Sequence, residues 1–407
     1  MEKLFKKHEN QSPAVELKKI AQKKHILRAI YFDGPLSNSE LARQIKLSTP
    51  KINSLLIELI DEGLVQELGP GDSSGGRRPN IYGLLEDGFY VVGITINVER
   101  TIISIFNSCN QQVSGPHYFP IKMASDLEIF HKVNEKLEEV VAQSNIPGDK
   151  ILVAGIEMPG LNNIQKGINR TYFPDINLSE ELRQIFGLPV YFNHDTKVRT
   201  FAEQRFGLAK NKKNVLMIQA DWGLGIGIIV NGKLYSGKSG YSGEFGHIPL
   251  VPNGPLCFCG KQGCLETVVS AKAIARQAKE AMQNGKSSLI RELVQNDLDK
   301  ISISVVIQAA NAGDQFAISL FTEVGKWLGQ GIAFLMQIFN PELIIMSGQV
   351  AVARQFITAP IQQGIQTFSN RDISNDTEIV FSELGTKAGT MGAAAYALEQ
   401  ISKTNIK

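Results

Sequence analysis

The sequence predicts a mixed α/β protein: an N-terminal winged helix-turn-helix module followed by a larger two-lobed domain. Three observations carry that prediction. Residues 1–85 read as helix, short helix, capped helix and two strands flanking an arginine-bearing loop. From Phe89 onward strands and helices alternate, in two stretches that each open with a strand hairpin. In the second stretch three of the four cysteines fall within eight residues, Cys257-x-Cys259-x4-Cys264, with His247 ten residues before the first.

At 407 residues the chain is too long for one ordinary domain. Its 43% hydrophobic and 20% charged content suits globular domains with substantial cores. No apolar run is long enough to span a bilayer, and the segment MEKLFKKHENQSP lacks the apolar core of a signal peptide, so a cytoplasmic location without membrane contact is expected. The net charge is +2, unevenly spread. Residues 1–80 hold 13 Lys+Arg against 10 Asp+Glu, or +3; the remainder holds 29 against 30, or −1. That excess suits an anionic partner, although solvated helix faces would also produce it.

In the first module, Val15, Ile20, Leu27 and Ile30 lie at helical spacing. Ser37 and Glu40 form a capping box that opens a short helix to Ile45. After a turn at Lys46–Leu47, Ser48 is placed to cap a third helix, with Pro50 tolerated in its first turn. Ile52, Leu55, Leu56, Leu59 and Ile60 form its apolar stripe. This leaves Ser48, Thr49, Lys51, Asn53 and Ser54 outward on its N-terminal half, residue types that contact phosphates and base edges in a major groove. Two strands then flank the loop GPGDSSGGRRPN, whose Arg77 and Arg78 suit a narrow minor groove. A helical dimerisation module with an ordinary basic loop is the competing reading; all the parts occurring together and in order favour DNA.

In the larger domain, strands are predicted over FYVVGITINV, TIISIFN, QQVSGPHYF, ILVAGIEMP and 190–193, then VLMIQADWGLGIGIIV as a hairpin, 343–347 and 379–381. Helices are predicted over 126–144, 196–206, 313–339 and 388–401. The cysteine cluster and His247 supply the four thiolate and imidazole ligands of a closed, structural Zn²⁺ site, with Gly254, Gly260 and Gly263 giving the tight backbone it needs. Small buried cysteines without metal are the alternative, but three in eight residues exceed what packing explains. Glu244 and Glu266 flank the cluster without being needed for the metal.

The stretch GEFGHIPLVPNGPLCFCGKQGCLE resembles the signature of the ROK family (repressors, open reading frames and sugar kinases). VAGIEMPG, the Asp195 segment, GLGIGIIVNGKLYSG, NPELIIMSG and GTMGAAAYAL extend the resemblance over most of residues 88–400. The preceding module with GGRRP resembles that of the family's repressor branch. What the resemblance implies is an actin-like, ribonuclease-H-like domain, with a first lobe over 86–200 completed by 388–402 and a second over 201–387 carrying the zinc loop. A sugar or sugar phosphate would bind between the lobes, and Gly160, His194, Asp195, Glu244, His247 and Glu266 would line its site. Asp195 sits where the family's kinases carry their catalytic base. His194 departs from the Asn that usually precedes it.

The kinases' phosphate-binding Asp-x-Gly-Gly-Thr is lost: Thr95, Asn97, Val98 and Glu99 stand in its place, and Glu99 would set a negative charge beside a triphosphate. The expectation is therefore a non-enzymatic, sugar-responsive repressor of carbohydrate genes, a homodimer or homotetramer on pseudo-palindromic operator DNA. A DNA-tethered sugar kinase and a repressor signalled by a sugar-transport protein are the alternatives.

Overall fold

The computed structural model describes Phe5, residues 13–71 and residues 78–403. The described residues divide into two compact units: one runs through Ala202 and includes the last helix, and the other spans Glu203–Thr386.

The first unit opens with helix α1 (Pro13–Asp33), strand β1 (Leu36–Ser37), α2 (Asn38–Ile45), α3 (Thr49–Asp61), β2 (Val65–Pro70) and β3 (Asn80–Leu84). The capping box forms as its sequence dictates: Glu40 N–H donates to Ser37 Oγ, and Ser37 N–H donates to Glu40 Oε2. Lys46 ends α2 in the left-handed region, at φ 59. In α3, Ile52, Leu55, Leu56 and Leu59 are buried, but Ile60 is 38% exposed and lies off the stripe. Ser48 occupies the N-cap position of α3 without a side-chain cap bond, contrary to its expected role. Helices α1 and α3 are also joined by a screened ion cluster. Lys23 Nζ lies 2.8 Å from both Glu58 Oε2 and Glu62 Oε1, and Lys19 Nζ lies 2.9 Å from Glu58 Oε1. The wing is an antiparallel pair, β2 against β3, and β1 adds a short third strand through Leu36↔Tyr82 and Ser37↔Ile81.

The same unit continues with β4 (Tyr90–Ile96), β5 (Thr101–Asn107), β6 (Gln112–Phe119), α4 (Glu128–Gln143), β7 (Ile151–Met158), the small pair β8 (Asn162–Asn163) and β9 (Ile168–Asn169), α5 (Leu178–Phe186), β10 (Val190–His194) and α6 (Asp195–Phe206). Its sheet has the order β10-β7-β4-β5-β6, antiparallel through the meander β4–β6 and parallel where β7 and β10 join. Val92, Ile94, Ile103 and Ile105 meet Phe130, Val133 and Leu137 of α4 and Leu182 of α5 in one core.

The second unit contains β11 (Val215–Ala220), β12 (Leu224–Val230), β13 (Lys233–Tyr235), α7 (Glu266–Val269), α8 (Ala271–Gln283), α9 (Leu289–Leu293), α10 (Ile303–Asn311), α11 (Gln315–Phe339), β14 (Leu343–Ser347), α12 (Arg354–Phe368), α13 (Arg371–Asn375) and β15 (Glu378–Phe381). Its sheet order, β13-β12-β11-β14-β15, repeats that of the first: an antiparallel meander with two parallel strands added beyond its first strand. That repetition gives the paired hairpins of the sequence a structural meaning, one topology used twice. Ile218, Ile226 and Ile228 pack on Phe321, Leu328 and Ile332 of α11 and on Ile274 of α8. The chain returns to the first unit as α14 (Lys387–Lys403). Among the described residues no helix is long and apolar enough to cross a membrane.

Candidate functional site

In the winged module, burying the apolar stripe of α3 turns the opposite face to solvent. Ser48, Thr49, Lys51, Asn53 and Ser54 are all exposed. Asn53 is held in place, its Oδ1 accepting from Asn38 Nδ2 at 3.0 Å. Arg78 is exposed at the base of the wing; Arg77 lies outside the described residues.

The first lobe gathers a polar cluster where β4, β7 and α6 meet. Asp195 is the first residue of α6, and its Oδ1 accepts from Thr196 N–H (2.5 Å) and Thr196 Oγ–H (3.1 Å). His194 Nδ1 stands 3.0 Å from the same oxygen. Burial opposes a charge on Asp195, but His194 and Arg199 outweigh it and hold the carboxyl below its usual range. Gly160, at φ 95, follows β7, and a Cβ there would lie 2.9 Å from Asn169 Oδ1 and from Thr171 Cβ. The residue therefore gives close backbone approach and no side chain.

Glu157 joins this cluster, although the sequence motif that holds it draws the eye to its glycine alone. It is 1% exposed on β7. Its Oε1 lies 2.9 Å from both Nε and Nη2 of Arg199, and its Oε2 accepts from Thr95 Oγ at 3.3 Å. A carboxylate inside an otherwise apolar strand run is the signal that marks it. Burial pushes the Glu157 carboxyl up to about 7, against the pull of Arg199 and with added repulsion from Asp195. Between its ordinary 4.5 and about 7 the folded chain holds a proton that the unfolded chain has released. Stability therefore falls as pH rises through that window. Glu157→Gln should flatten this part of the stability curve, read as thermal midpoints between about pH 5 and about pH 8; an unchanged slope would place the titrating group elsewhere.

Thr95, 2% exposed, is committed to Glu157, while Asn97 closes the β4–β5 turn by accepting from Glu99 N–H (2.8 Å) and Arg100 N–H (2.9 Å). These residues are thus satisfied within the first lobe's own hydrogen-bond network.

The second lobe places His247, Cys257, Cys259 and Cys264 together, with one ligand atom from each lying within 4.8 Å of the others. Cys257 Sγ is 3.5 Å from His247 Nδ1, and Cys259 Sγ is 3.6 Å from Cys264 Sγ. Ligand bonds of about 2.0–2.3 Å in a tetrahedron separate neighbouring donors by roughly 3.5–3.8 Å, so this group could hold a metal ion. Burial pushes the Cys264 thiol up to about 12 in the metal-free cluster; a bound cation favours the thiolate instead. Gly263, at φ 77, makes the tight approach possible, since a Cβ there would stand 2.1 Å from Val251 O.

The flanking carboxylates are tied to the same scaffold. His247 Nε2 points toward Glu244 Oε2, 3.8 Å away, leaving Nδ1 on the cysteine side. Glu266 Oε2 accepts Leu224 N–H at 2.9 Å, next to Gly223. Burial raises the Glu266 carboxyl, opposed by that backbone bond and by His247.

A winged helix-turn-helix joined to a duplicated α/β domain, with a polar cluster in each lobe, defines the architecture. The chain belongs to the ROK family: that family's profile matches residues 92–400, and a winged helix-turn-helix DNA-binding profile matches residues 21–66. Among its relatives, the N-acetylglucosamine repressor of Escherichia coli O157:H7 is 27% identical over 386 residues, covering 94% of this chain and 93% of that one. The xylose repressor of Bacillus spizizenii is 27% identical over 388 residues, covering 94% and 96%. A crystal structure of a ROK family transcriptional regulator, a homolog of the Escherichia coli MLC protein, superposes with a TM-score of 0.79 at 27% identity, covering 94% and 97%.

Proposed function

We propose that this chain is a sugar-responsive DNA-binding transcriptional repressor that controls genes of carbohydrate uptake or catabolism. The observation that carries the reading is helix α3, whose buried stripe leaves Thr49, Lys51, Asn53 and Ser54 exposed on a braced module. Those side chains would read a major groove, with Arg78 and Arg77 following the backbone or minor groove. A dimer or tetramer would present two such modules to the halves of a pseudo-palindrome.

The effector is a sugar or sugar phosphate. Asp195, His194 and Gly160 in one lobe, and Glu244, Glu266 and His247 in the other, are the candidate lining; the three carboxylates offer acceptors suited to vicinal hydroxyls, and His247 Nε2–H would donate. Zn²⁺ is the metal that best suits three thiolates and one imidazole, and it has a structural role. Bound through Nδ1, it would fix the tautomer of His247 and aim Nε2 outward. The chain performs no phosphoryl transfer in this reading: Thr95, Asn97, Val98 and Glu99 offer neither the glycines nor the acidic metal ligand of a phosphate loop.

The test is fluorescence anisotropy on DNA from upstream of the protein's own gene, at fixed salt. N-acetylglucosamine, xylose, glucose and their phosphates would be titrated in turn. Nanomolar binding released by one of them is the expected result. Specific binding indifferent to all of them would favour a protein signal, such as a sugar-transport component. Absence of specific binding, with ADP release in a coupled assay, would replace the repressor by a kinase.

A further inference from the structure

Helix α14 packs its first half directly on the first lobe's sheet. A Cβ on Gly93 of β4 would lie 1.9 Å from Thr390 O, and one on Gly155 of β7 would lie 1.8 Å from Ala393 O. The helix backbone therefore rests directly on the strands. At its start, Gly389 abuts the Thr95–Glu157 pair, since a Cβ there would be 2.6 Å from Thr95 Oγ. Ten residues on, about 15 Å along the axis, Glu399 receives a fork from the DNA-binding module. Arg28 Nε lies 2.6 Å from Glu399 Oε2, and Arg28 Nη2 lies 2.9 Å from Oε1.

The Glu399 side chain is 4% exposed, and Lys403 Nζ lies 2.8 Å from its Oε1. A nearly buried carboxylate joined bidentately across 371 residues of sequence is a geometric clamp, unlike a surface pair. The last turn of α1 is seated by other residues of the first unit. Phe32 packs edge-on against Phe201 at 6.0 Å, and Phe201 packs edge-on against Tyr396 at 6.0 Å. Tyr31 OH donates to Asn110 Oδ1 at 3.0 Å. Phe201 lies on α6, the helix that begins with Asp195.

We infer that Glu399 is a positioning residue for operator recognition, acting through Arg28 to set α1, and with it α3, against the lobe that carries Asp195. The inference rests on the repressor reading above and adds the element through which that lobe reaches DNA. Helix α1 is braced to α3 by the Lys19–Lys23–Glu58–Glu62 cluster, so turning α1 turns the exposed face of α3. Helix α6 touches α1 through Phe201 and Phe32, so a change at Asp195 meets the same joint within two turns of helix. Neither Arg28 nor Glu399 needs to contact DNA for this.

The experiment uses the full-length chain and a duplex that it selects from a random DNA pool, read by anisotropy at fixed salt. Glu399→Gln and Arg28→Gln should each weaken binding about tenfold, within the range seen for coupling residues. The double variant should be no weaker than either single one. Arg28→Glu combined with Glu399→Arg should recover most of the loss, and thermal midpoints would show that each variant folds. Hydrogen exchange without DNA should show faster exchange in the last turn of α1 in Glu399→Gln, with α14 unchanged.

Loss in Arg28→Gln without loss in Glu399→Gln would make Arg28 a DNA contact and overturn the inference. Additive losses, or unchanged exchange in α1, would overturn it as well. If the unaltered chain selects no duplex, the repressor reading fails on its own, and the joint is still decided by exchange in α1.

Discussion

Replacing Cys264 with serine should leave the purified chain without bound metal, lower its thermal midpoint and abolish any response to sugar. Cys264 is fully buried, and its Sγ stands 3.6 Å from Cys259 Sγ, so removal takes a central donor from the cluster. The loop around it has little else to hold it. Outside its turns the described residues hold it by the bridges Pro249↔Cys264 and Leu256↔Gln262 and by Val251 N–H donating to Gly263 O, while Leu256 and Phe258 are 77% and 81% exposed. Structural zinc sites in small folds are worth roughly 10–16 kcal/mol of binding energy, far more than such bridges supply. The consequence reaches past the loop because its two ends carry the carboxylates. Leu265 N–H donates to Ile248 O, which ties Glu266 to the segment of His247, and Glu266 in turn holds Leu224 N–H. Elemental analysis should fall from about one zinc per chain to none. A variant that keeps both its zinc and its sugar response would remove Cys264 from the ligand set.

Interactions between residues close in the chain are legible in the sequence. The capping box of Ser37 and Glu40 spans four residues, and the three cysteines span eight with His247 ten residues before them; in both, the partners lie close along the backbone. The same locality misleads at the margins. Ser48 has the right residue type for a cap and makes no cap bond, and Ile60 fits the helical period yet stands 38% exposed. Strand β1 leaves no trace in the sequence because two residues have no period; only pairing with Tyr82 and Ile81 makes Leu36–Ser37 a strand. The candidate sugar residues come from the family resemblance, since no spacing links Asp195 to Glu266. Glu157 and Arg199 lie 42 residues apart and Arg28 and Glu399 lie 371 apart. Only the fold brings those charges together, and in both pairs of the first unit the carboxylate is nearly buried.

Asp195→Asn should weaken sugar binding strongly while leaving operator binding and the fold in place. The bonds that hold Asp195 converge on Oδ1, from Thr196 N–H, Thr196 Oγ–H and the His194 ring; among the described residues none uses Oδ2. A sugar hydroxyl donating to a carboxylate oxygen makes a charge-assisted bond worth about 1.5–3 kcal/mol. An amide at the same place keeps one acceptor and turns the other oxygen into a donor, so one of two vicinal hydroxyls loses its partner. The concentration of sugar that releases DNA should rise roughly 10- to 100-fold.

The sign of the pH effect follows from the lowered carboxyl of Asp195. Its stabilising charge is present at neutral pH and is lost as pH falls through the folded-state value, so the variant should be less sensitive to acid than the parent. The operator should still be bound in the absence of sugar, because helix α3 and its brace to α1 do not include this residue. Loss of operator binding by Asp195→Asn would instead make Asp195 a structural cap of α6, and undiminished release by sugar would remove it from the effector site.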